Sequence, residues 1–334
     1  MGDEERKGTI MIDLLTALTA AASLILALNI GANNSAAEMG PACGAGIRSR
    51  RQALILIAVF CTAGAVFAGN RVVETVGHKL LGEGTLAGNK TGALIILISA
   101  FSLMGAANLF RLPLSSAHAV VGATVGLGLY YAKFNTPVMI NLLIWWVVTP
   151  LASLLFSYLL GRLLHQRARD LLNVRYGEQN IRRVLGWAIT LSGCWMAFSA
   201  GSNSLAKALG PAVGAGVFTP TTAAVAGGLA MACGALLLGG RVIRTVGKEI
   251  TPICPICAVL VELVAGSIVF SASRYGIPVS LAEIVTCSVI GFSCAANGVG
   301  KTSTNLHVRR ILAFWPASPV IAGAFALGLR LLFN

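Results

Sequence analysis

Two sets of small neutral polar residues interrupt long apolar runs in this chain. Asn29, Asn33, Asn34 and Ser35 surround Gly31, and Ser199, Ser202, Asn203 and Ser204 surround Gly201. Amides and hydroxyls of this kind donate hydrogen bonds without carrying charge, and glycine lets a backbone unwind or lets another backbone come close. The chemistry open to them is binding rather than bond-making. A helix starting near Ser35 would add its own N–H groups and positive dipole end, a combination suited to an anion. The same residues would equally serve a glycine-rich crossing in which amides tie packed helices together.

The two sets are one motif written twice. Ala27–Gly46 returns in register as Ala197–Gly216, with Gly40-Pro41 matched by Gly210-Pro211, and the same offset aligns Arg71–Gly77 with Arg241–Gly247. Two related halves of nearly equal length therefore fill the 334-residue chain. A further pair stands at a slightly shorter offset: Leu112–His118, with Pro113, Ser115 and Ser116, aligns with Ile277–Glu283, with Pro278 and Ser280. Proline suits a first helical turn and serine caps free N–H groups, so helices are expected to follow both. Ser115, Ser116 and Ser280 are candidates to line an anion passage, or are plain caps at a membrane surface.

Ionisable residues within the apolar body are candidates for proton coupling. Glu38 lies one helical turn beyond Asn34. Lys207 falls one residue from alignment with Glu38, and either attracts an anion or neutralises Glu38. Glu283 stands where the first half has His118, and Glu262 interrupts an apolar helix; Glu74 and Glu249 are further candidates. Each has a plainer role open to it as a cap, an interhelical bond or a snorkelling side chain.

The elements that must position these groups are transmembrane helices. Hydrophobic residues make up 56% of the chain and charged ones 11%, with a mean hydropathy of +0.80, which makes lipid the expected solvent. Ten apolar runs, at about 11–32, 52–69, 91–107, 117–132, 137–160, 185–200, 221–239, 256–272, 281–296 and 312–332, mostly have the length to cross ~30 Å of hydrocarbon. Segments at about 35–47 and 205–217 have the length of half-helices. The expected fold is an all-α polytopic membrane protein of inverted-topology repeats, with broken helices or re-entrant segments and about 10–12 membrane segments. Residues 1–10 form a tail, 11–161 the first repeat, 162–184 a basic cytoplasmic linker and 185–334 the second repeat. The many later spans argue against a cleaved leader.

The net charge of +13 is gathered in short joints such as Arg48–Arg51 and Arg162–Arg183, the distribution of cytoplasmic loops rather than of a nucleic-acid surface. The repeat partner of Arg48–Arg51 is the uncharged Phe218–Thr221, and the nearly neutral Arg71–Glu83 has a more basic partner in Arg241–Glu249. Equivalent joints thus fall on opposite sides. Six cysteines, at 43, 61, 194, 233, 287 and 294, stand singly as small packing residues, while Cys254 and Cys257 have redox-motif spacing without the βαβ setting that motif needs. Gly298–Thr302 lacks the first glycine of a phosphate-binding loop. The four histidines are widely spaced, so neither a metal site nor another cofactor is expected, and no nucleotide domain marks an ATP-driven pump.

At these motifs the chain resembles the inorganic phosphate transporter (PiT) family, whose duplicated pattern begins Gly-Ala-Asn-Asp and includes a Pro-x-Ser-Ser/Thr-x-His element. The likeness covers both halves, including Trp146–Pro150 and Trp315–Pro319 near their ends. It implies an anion site between inverted repeats and alternating access driven by H⁺ or Na⁺, with a homodimer as a further expectation. Asn34 and Ser204 stand where phosphate-carrying members have aspartate. Sulfate has no proton to offer a carboxylate, so neutral donors suit it better. The chain is similar to the sulfate-permease branch, which implies sulfate:H⁺ symport into the cell across the inner membrane. Asn33, Asn34, Ser35, Ser115, Ser116, Ser202, Asn203, Ser204 and Ser280 are then the expected ligands, and Glu38, His118, Lys207, Glu262 and Glu283 the proton-coupling candidates. Phosphate symport is the alternative; a passive channel and a membrane enzyme are the rival classes.

Overall fold

The structure of the chain is a computed structural model that describes residues 3–82, 84–109, 115–175, 178–240, 255–299 and 306–333. The regular elements among the described residues are helices. The first half holds α1 (Asp3–Gly44), α2 (Arg50–Ala68), α3 (Asn70–Glu74), α4 (Lys90–Leu109), α5 (Ser116–Tyr131) and α6 (Thr136–Arg175). The second holds α7 (Glu178–Gly214), α8 (Pro220–Gly234), α9 (Pro255–Arg274), α10 (Leu281–Asn297) and α11 (Leu306–Leu332). π-Helical segments, Thr75–Lys79 and Ala235–Gly239, follow α3 and α8.

Every one of the ten apolar runs lies in a helix, as hydrocarbon demands of a backbone that must satisfy its own N–H and C=O groups. Among the described residues seven helices are long and apolar enough to cross a membrane, and two shorter apolar ones, Lys90–Ala106 and Leu281–Ala296, accompany them. The stretch expected as a linker, 162–184, is helical up to Arg175 and again from Glu178. Among the described residues the six cysteines that stand singly are free, and Cys233 is exposed rather than packed. Cys257, by contrast, is disulfide-bonded. Pro113, the joint Arg241–Glu249, Cys254 and Lys301 lie outside the described residues.

The helices do not break at the asparagine motifs. α1 runs unbroken through Gly31–Ser35 and α7 through Ser199–Ser204, so the half-helices expected at 35–47 and 205–217 are continuations of α1 and α7 that end at Gly44 and Gly214. Two of the serines are absorbed by their own helices: Ser35 Oγ donates to the Gly31 carbonyl at 2.9 Å and Ser199 Oγ to the Trp195 carbonyl at 2.8 Å. The glycines serve packing. A Cβ on Gly31 would strike the backbone of Met231, and one on Gly201 the backbone of Cys61. Each contact is the other's copy, because Cys61 and Met231 are separated by the same offset as the two glycines. Gly64 against Phe198 and Gly234 against Leu28 form a second matched pair.

A two-fold exchange of the halves therefore maps contacts onto contacts. α1 packs on α8 as α7 packs on α2, and α6 packs on α10 as α11 packs on α5. The equivalent helices α1 and α7 also pack on each other, and they run antiparallel. Asn34 meets Ser204, Glu38 lies against Gly193 and Ile47 against Gly186, so positions rise along α1 as they fall along α7. Ser49 and Thr219, again equivalent positions of the two halves, cap α2 and α8 with matching capping boxes to Gln52 and Thr222. The antiparallel pairing predicts that these two helix starts open to opposite aqueous sides. In Arg50→Cys and Thr219→Cys variants a membrane-impermeant maleimide should label one from outside the cell and the other only from the cytoplasm; labelling of both from one side contradicts inverted repeats.

Candidate functional site

A residue that touches its own repeat equivalent must sit on the axis relating the halves. Two such polar contacts occur among the described residues. Asn34 Nδ2 donates to Ser204 Oγ at 3.1 Å, and His118 Nδ1 lies 3.2 Å from Glu283 Oε1. The second contact is built by the serines that start α5 and α10. Ser115 Oγ accepts from the His118 N–H and Ser280 Oγ from the Glu283 N–H, both at 3.3 Å, which fixes His118 and Glu283 one turn inside their helices. Both capping serines are buried within the protein. The positive ends of α5 and α10 consequently converge at the axis. Capping uses a lone pair of each serine oxygen, so the hydroxyl hydrogen remains a donor for an anion.

Two further groups hold the His118 ring. Its Nδ1 lies 2.8 Å from Ser318 Oγ, and Ser318 donates its own hydrogen to the Trp315 carbonyl at 2.9 Å. Nδ1 is thereby assigned as the N–H donor, and Nε2, buried without a partner, bears the lone pair. The Trp146 ring packs over the imidazole with centroids 4.3 Å apart, while its Nε1 donates to the Pro278 carbonyl at 2.8 Å. Sequence reasoning missed Ser318 and Trp146 as site residues, although both stand in the paired tryptophan motifs that close each half.

Lys207 lies on α7 one turn beyond Ser204 and is only 1% exposed. Glu283 and His118 are the groups nearest to it in electrostatic reach. It does not neutralise Glu38, and the antiparallel crossing explains why. Glu38 abuts Gly193, and Lys207 lies well over three turns further along α7, about 21 Å at about 1.5 Å per residue. Glu38 itself, 1% exposed, has both carboxyl oxygens buried without a hydrogen-bond partner. Glu262 receives the Ser192 hydroxyl at 2.5 Å on one oxygen and has the other buried and unpartnered. Glu74 is exposed and pairs with Lys79 at 2.9 Å, outside this centre.

The remaining candidates divide. Ser116 is half-buried at the first turn of α5, and Asn33, unlike its half-buried neighbour Asn34, is exposed. Ser202 shares its hydroxyl between the Ser199 carbonyl and Ser273 Oγ. Asn203 is fully engaged: Nδ2 donates to Ser273 Oγ at 3.1 Å and to the Ile277 carbonyl at 2.9 Å, and Oδ1 accepts from the Val279 N–H at 3.0 Å. It fastens the non-helical stretch before Ser280 to α7. No group of metal-ligating side chains gathers among the described residues. Near the axis stand neutral hydrogen-bond donors, the N-termini of two helices, the buried Lys207 and the contacting side chains of His118 and Glu283, groups whose chemistry suits an anion.

The chain is similar to known proteins. The sequence profile of the phosphate transporter family matches residues 30–326. The sulfate permease CysP of Bacillus subtilis is 36% identical over 301 residues, covering 90% of this chain and 83% of that protein. The inorganic phosphate transporter 2-1, chloroplastic, of Arabidopsis thaliana is 24% identical, covering 94% of this chain and 71% of its own. Among solved structures, the sodium-dependent phosphate transporter superposes with a TM-score of 0.80 at 23% identity, covering 95% of this chain and 99% of that one, a likeness of fold.

The engagement of Asn203 generates a test of its part in the site. Asn203→Ala strands the buried Val279 N–H, at a cost of about 1–3 kcal/mol, and releases the segment before Ser280. A lowered melting temperature in detergent, together with reduced transport, is expected. Unchanged stability would show that the clamp contributes nothing to holding the segment.

Proposed function

This chain belongs to the phosphate transporter family of membrane transport proteins, and from that premise we propose that it is a sulfate:H⁺ symporter of the cell inner membrane, working by alternating access. The observation that carries the reading is the contact of Asn34 with Ser204 on the repeat axis, neutral donor against neutral hydroxyl, with Lys207 buried one turn away. Sulfate near neutral pH is a full dianion with no hydrogen to give. A site of amide, hydroxyl and helix-end N–H donors offsets its desolvation, whereas an ionised carboxylate on the axis would repel it. The sulfate permease at 36% identity supports the same cargo.

The antiparallel packing of α1 on α7 supports inverted repeats, and an axis lying across the helices supplies two equivalent ways of opening the centre, one to each side. Asn34, Ser204, Ser115, Ser116 and Ser280 are the ligands this reading favours. Ser35, Ser202 and Asn203 act from behind them, and Asn33 lines the approach. Phosphate is the second reading, favoured by the family's other members, and its dianion would meet the same donors.

Reconstitution into proteoliposomes tests the cargo and the driving ion together. Radiolabelled sulfate should accumulate under an inward H⁺ gradient and not under a Na⁺ gradient, and excess sulfate should compete better than excess phosphate. Asn34→Asp and Ser204→Asp, made separately, should each lower sulfate uptake by about tenfold or more, since one like charge in a desolvated site costs at least ~1.4 kcal/mol, and should lower phosphate uptake less. Efficient phosphate uptake that ignores excess sulfate overturns the sulfate assignment.

A further inference from the structure

α6 and α9 meet where Trp145 of the first lies against Tyr275, just past the end of the second, with ring centroids 5.4 Å apart. From that contact a trough of about 540 Å³ runs between the two helices. On α6 it extends from Trp145 to Leu160, about 22 Å at ~1.5 Å per residue, against ~15 Å for one leaflet of hydrocarbon. Small side chains, Ala152 on α6 with Ser267 and Ser271 on α9, hollow it out beside the bulkier Phe156 and Leu263. Its hydroxyls are already committed. Thr149 Oγ1 donates to the Trp145 carbonyl at 2.7 Å and Ser271 Oγ to the Ser267 carbonyl at 2.8 Å, while Ser267 Oγ accepts from Trp195 Nε1 at 3.3 Å. The wall therefore suits an apolar occupant.

The end of the trough at Trp145 is different. Arg274 stands one turn beyond Ser271 on the same face of α9. Arg71 on α3 donates from Nη1 to the Arg274 carbonyl at 2.6 Å, which brings a second guanidinium to this end. Both arginines are exposed, and neither has a carboxylate partner among the described residues, since Glu74 on α3 pairs with Lys79. Trp145 and the 72% exposed Tyr275 form the kind of aromatic pair found at headgroup level. α9 runs parallel to α7, Glu262 meeting Ser192 and Ser273 meeting Ser202, and α7 starts beside Ile47 at the end of α1. Arg274 thus lies on the face opposite the Arg48–Arg51 joint, at the outer leaflet in the orientation that the basic joints give.

We propose that the trough is a binding site for one anionic phospholipid, with an acyl chain laid between α6 and α9 and the headgroup phosphate on Arg71 and Arg274. An apolar slot that ends in two unpaired cations matches the two parts of such a molecule. A second copy of this chain fits less well, because a two-fold axis along the membrane normal would bring two more arginines to the same level. Trp145 and Trp146 are neighbours: the first lines the trough, and the second holds the Pro278 carbonyl. The lipid accordingly lies behind the segment that leads to Ser280. Its site is independent of the cargo and of the coupling ion, so neither of those assignments stands or falls with it.

Native mass spectrometry tests the site on the purified protein, taken from vesicles of equal phosphatidylglycerol and phosphatidylcholine with matched acyl chains. The parent should retain one phosphatidylglycerol in preference to phosphatidylcholine by about tenfold or more, as two arginines near the surface require. Arg71→Gln combined with Arg274→Gln should bring the ratio close to one. Ser267→Phe fills the trough and should lose the bound lipid; if its melting temperature shows that it fails to fold, Ala152→Phe fills the same space from α6. Excess inorganic phosphate should leave the retained lipid in place. Equal retention of the two lipids by the parent overturns the proposal, as does an unchanged ratio in the double arginine variant or a filled trough that still holds lipid. Displacement by inorganic phosphate would show that the arginines hold a free anion instead. Disulfide-linked dimers of a Val148→Cys variant in the membrane, above the level of the parent, would show that a second copy covers the trough, and would equally overturn the lipid site.

Discussion

Close contact of backbones across the repeat axis is the constraint from which the rest of the structure follows. Gly31 and Gly201 let α8 and α2 come against α1 and α7 with no side chain between them, and Gly64 and Gly234 repeat the contact one turn away. Without a hydrophobic drive between helices in lipid, such approaches supply much of the packing that holds a bundle together. They also set the depth at which α1 and α7 cross. That depth puts Asn34 against Ser204 and sends Glu38 and Lys207 in opposite directions along the bundle.

The polar groups obey the same geometry but meet different fates in the two halves. Asn34 and Asn203 belong to one repeated motif, yet the first reaches across the axis while the second is spent entirely on the stretch from Ile277 to Val279. A buried amide has four hydrogen-bonding positions, and one that has filled three of them on its own protein is a fastener. Trp146 acts likewise, gripping the Pro278 carbonyl and covering His118 with one ring. The start of α10 is thus held from α7 and from α6, and the serine cap it presents inherits its position from both.

How much of this was legible in the sequence depends on the range of the interaction. The ten apolar runs and the caps at Ser115 and Ser280 are local matters of composition and of a side chain reaching one turn along, and both were readable. The duplication exposed the symmetry. Whether Gly31 breaks a helix or admits a neighbour depends on Met231, far away in the other half, and there the expectation of a broken helix failed. The meeting of His118 with Glu283 was hidden for the same reason: alignment shows that two positions are equivalent, and only the path of the axis shows that they touch. Ser192 was missed because an isolated serine in an apolar helix carries no signal until its partner is in view, and Ser318, although it stands in the Trp315–Pro319 motif, because the motif does not tell which residue it faces. Cys257 was taken as one half of a thiol spacing and is disulfide-bonded.

The last two helices of each half trade places: α6 packs on α10, and α11 on α5. In each half the penultimate helix packs most heavily on the last helix of the other half. Two separate identical halves would make these same contacts about a two-fold axis. Joining them in one chain leaves the two members free to differ. The histidine in one half and the glutamate in the other are a product of that freedom, since in a pair of identical chains the axis could hold only like against like.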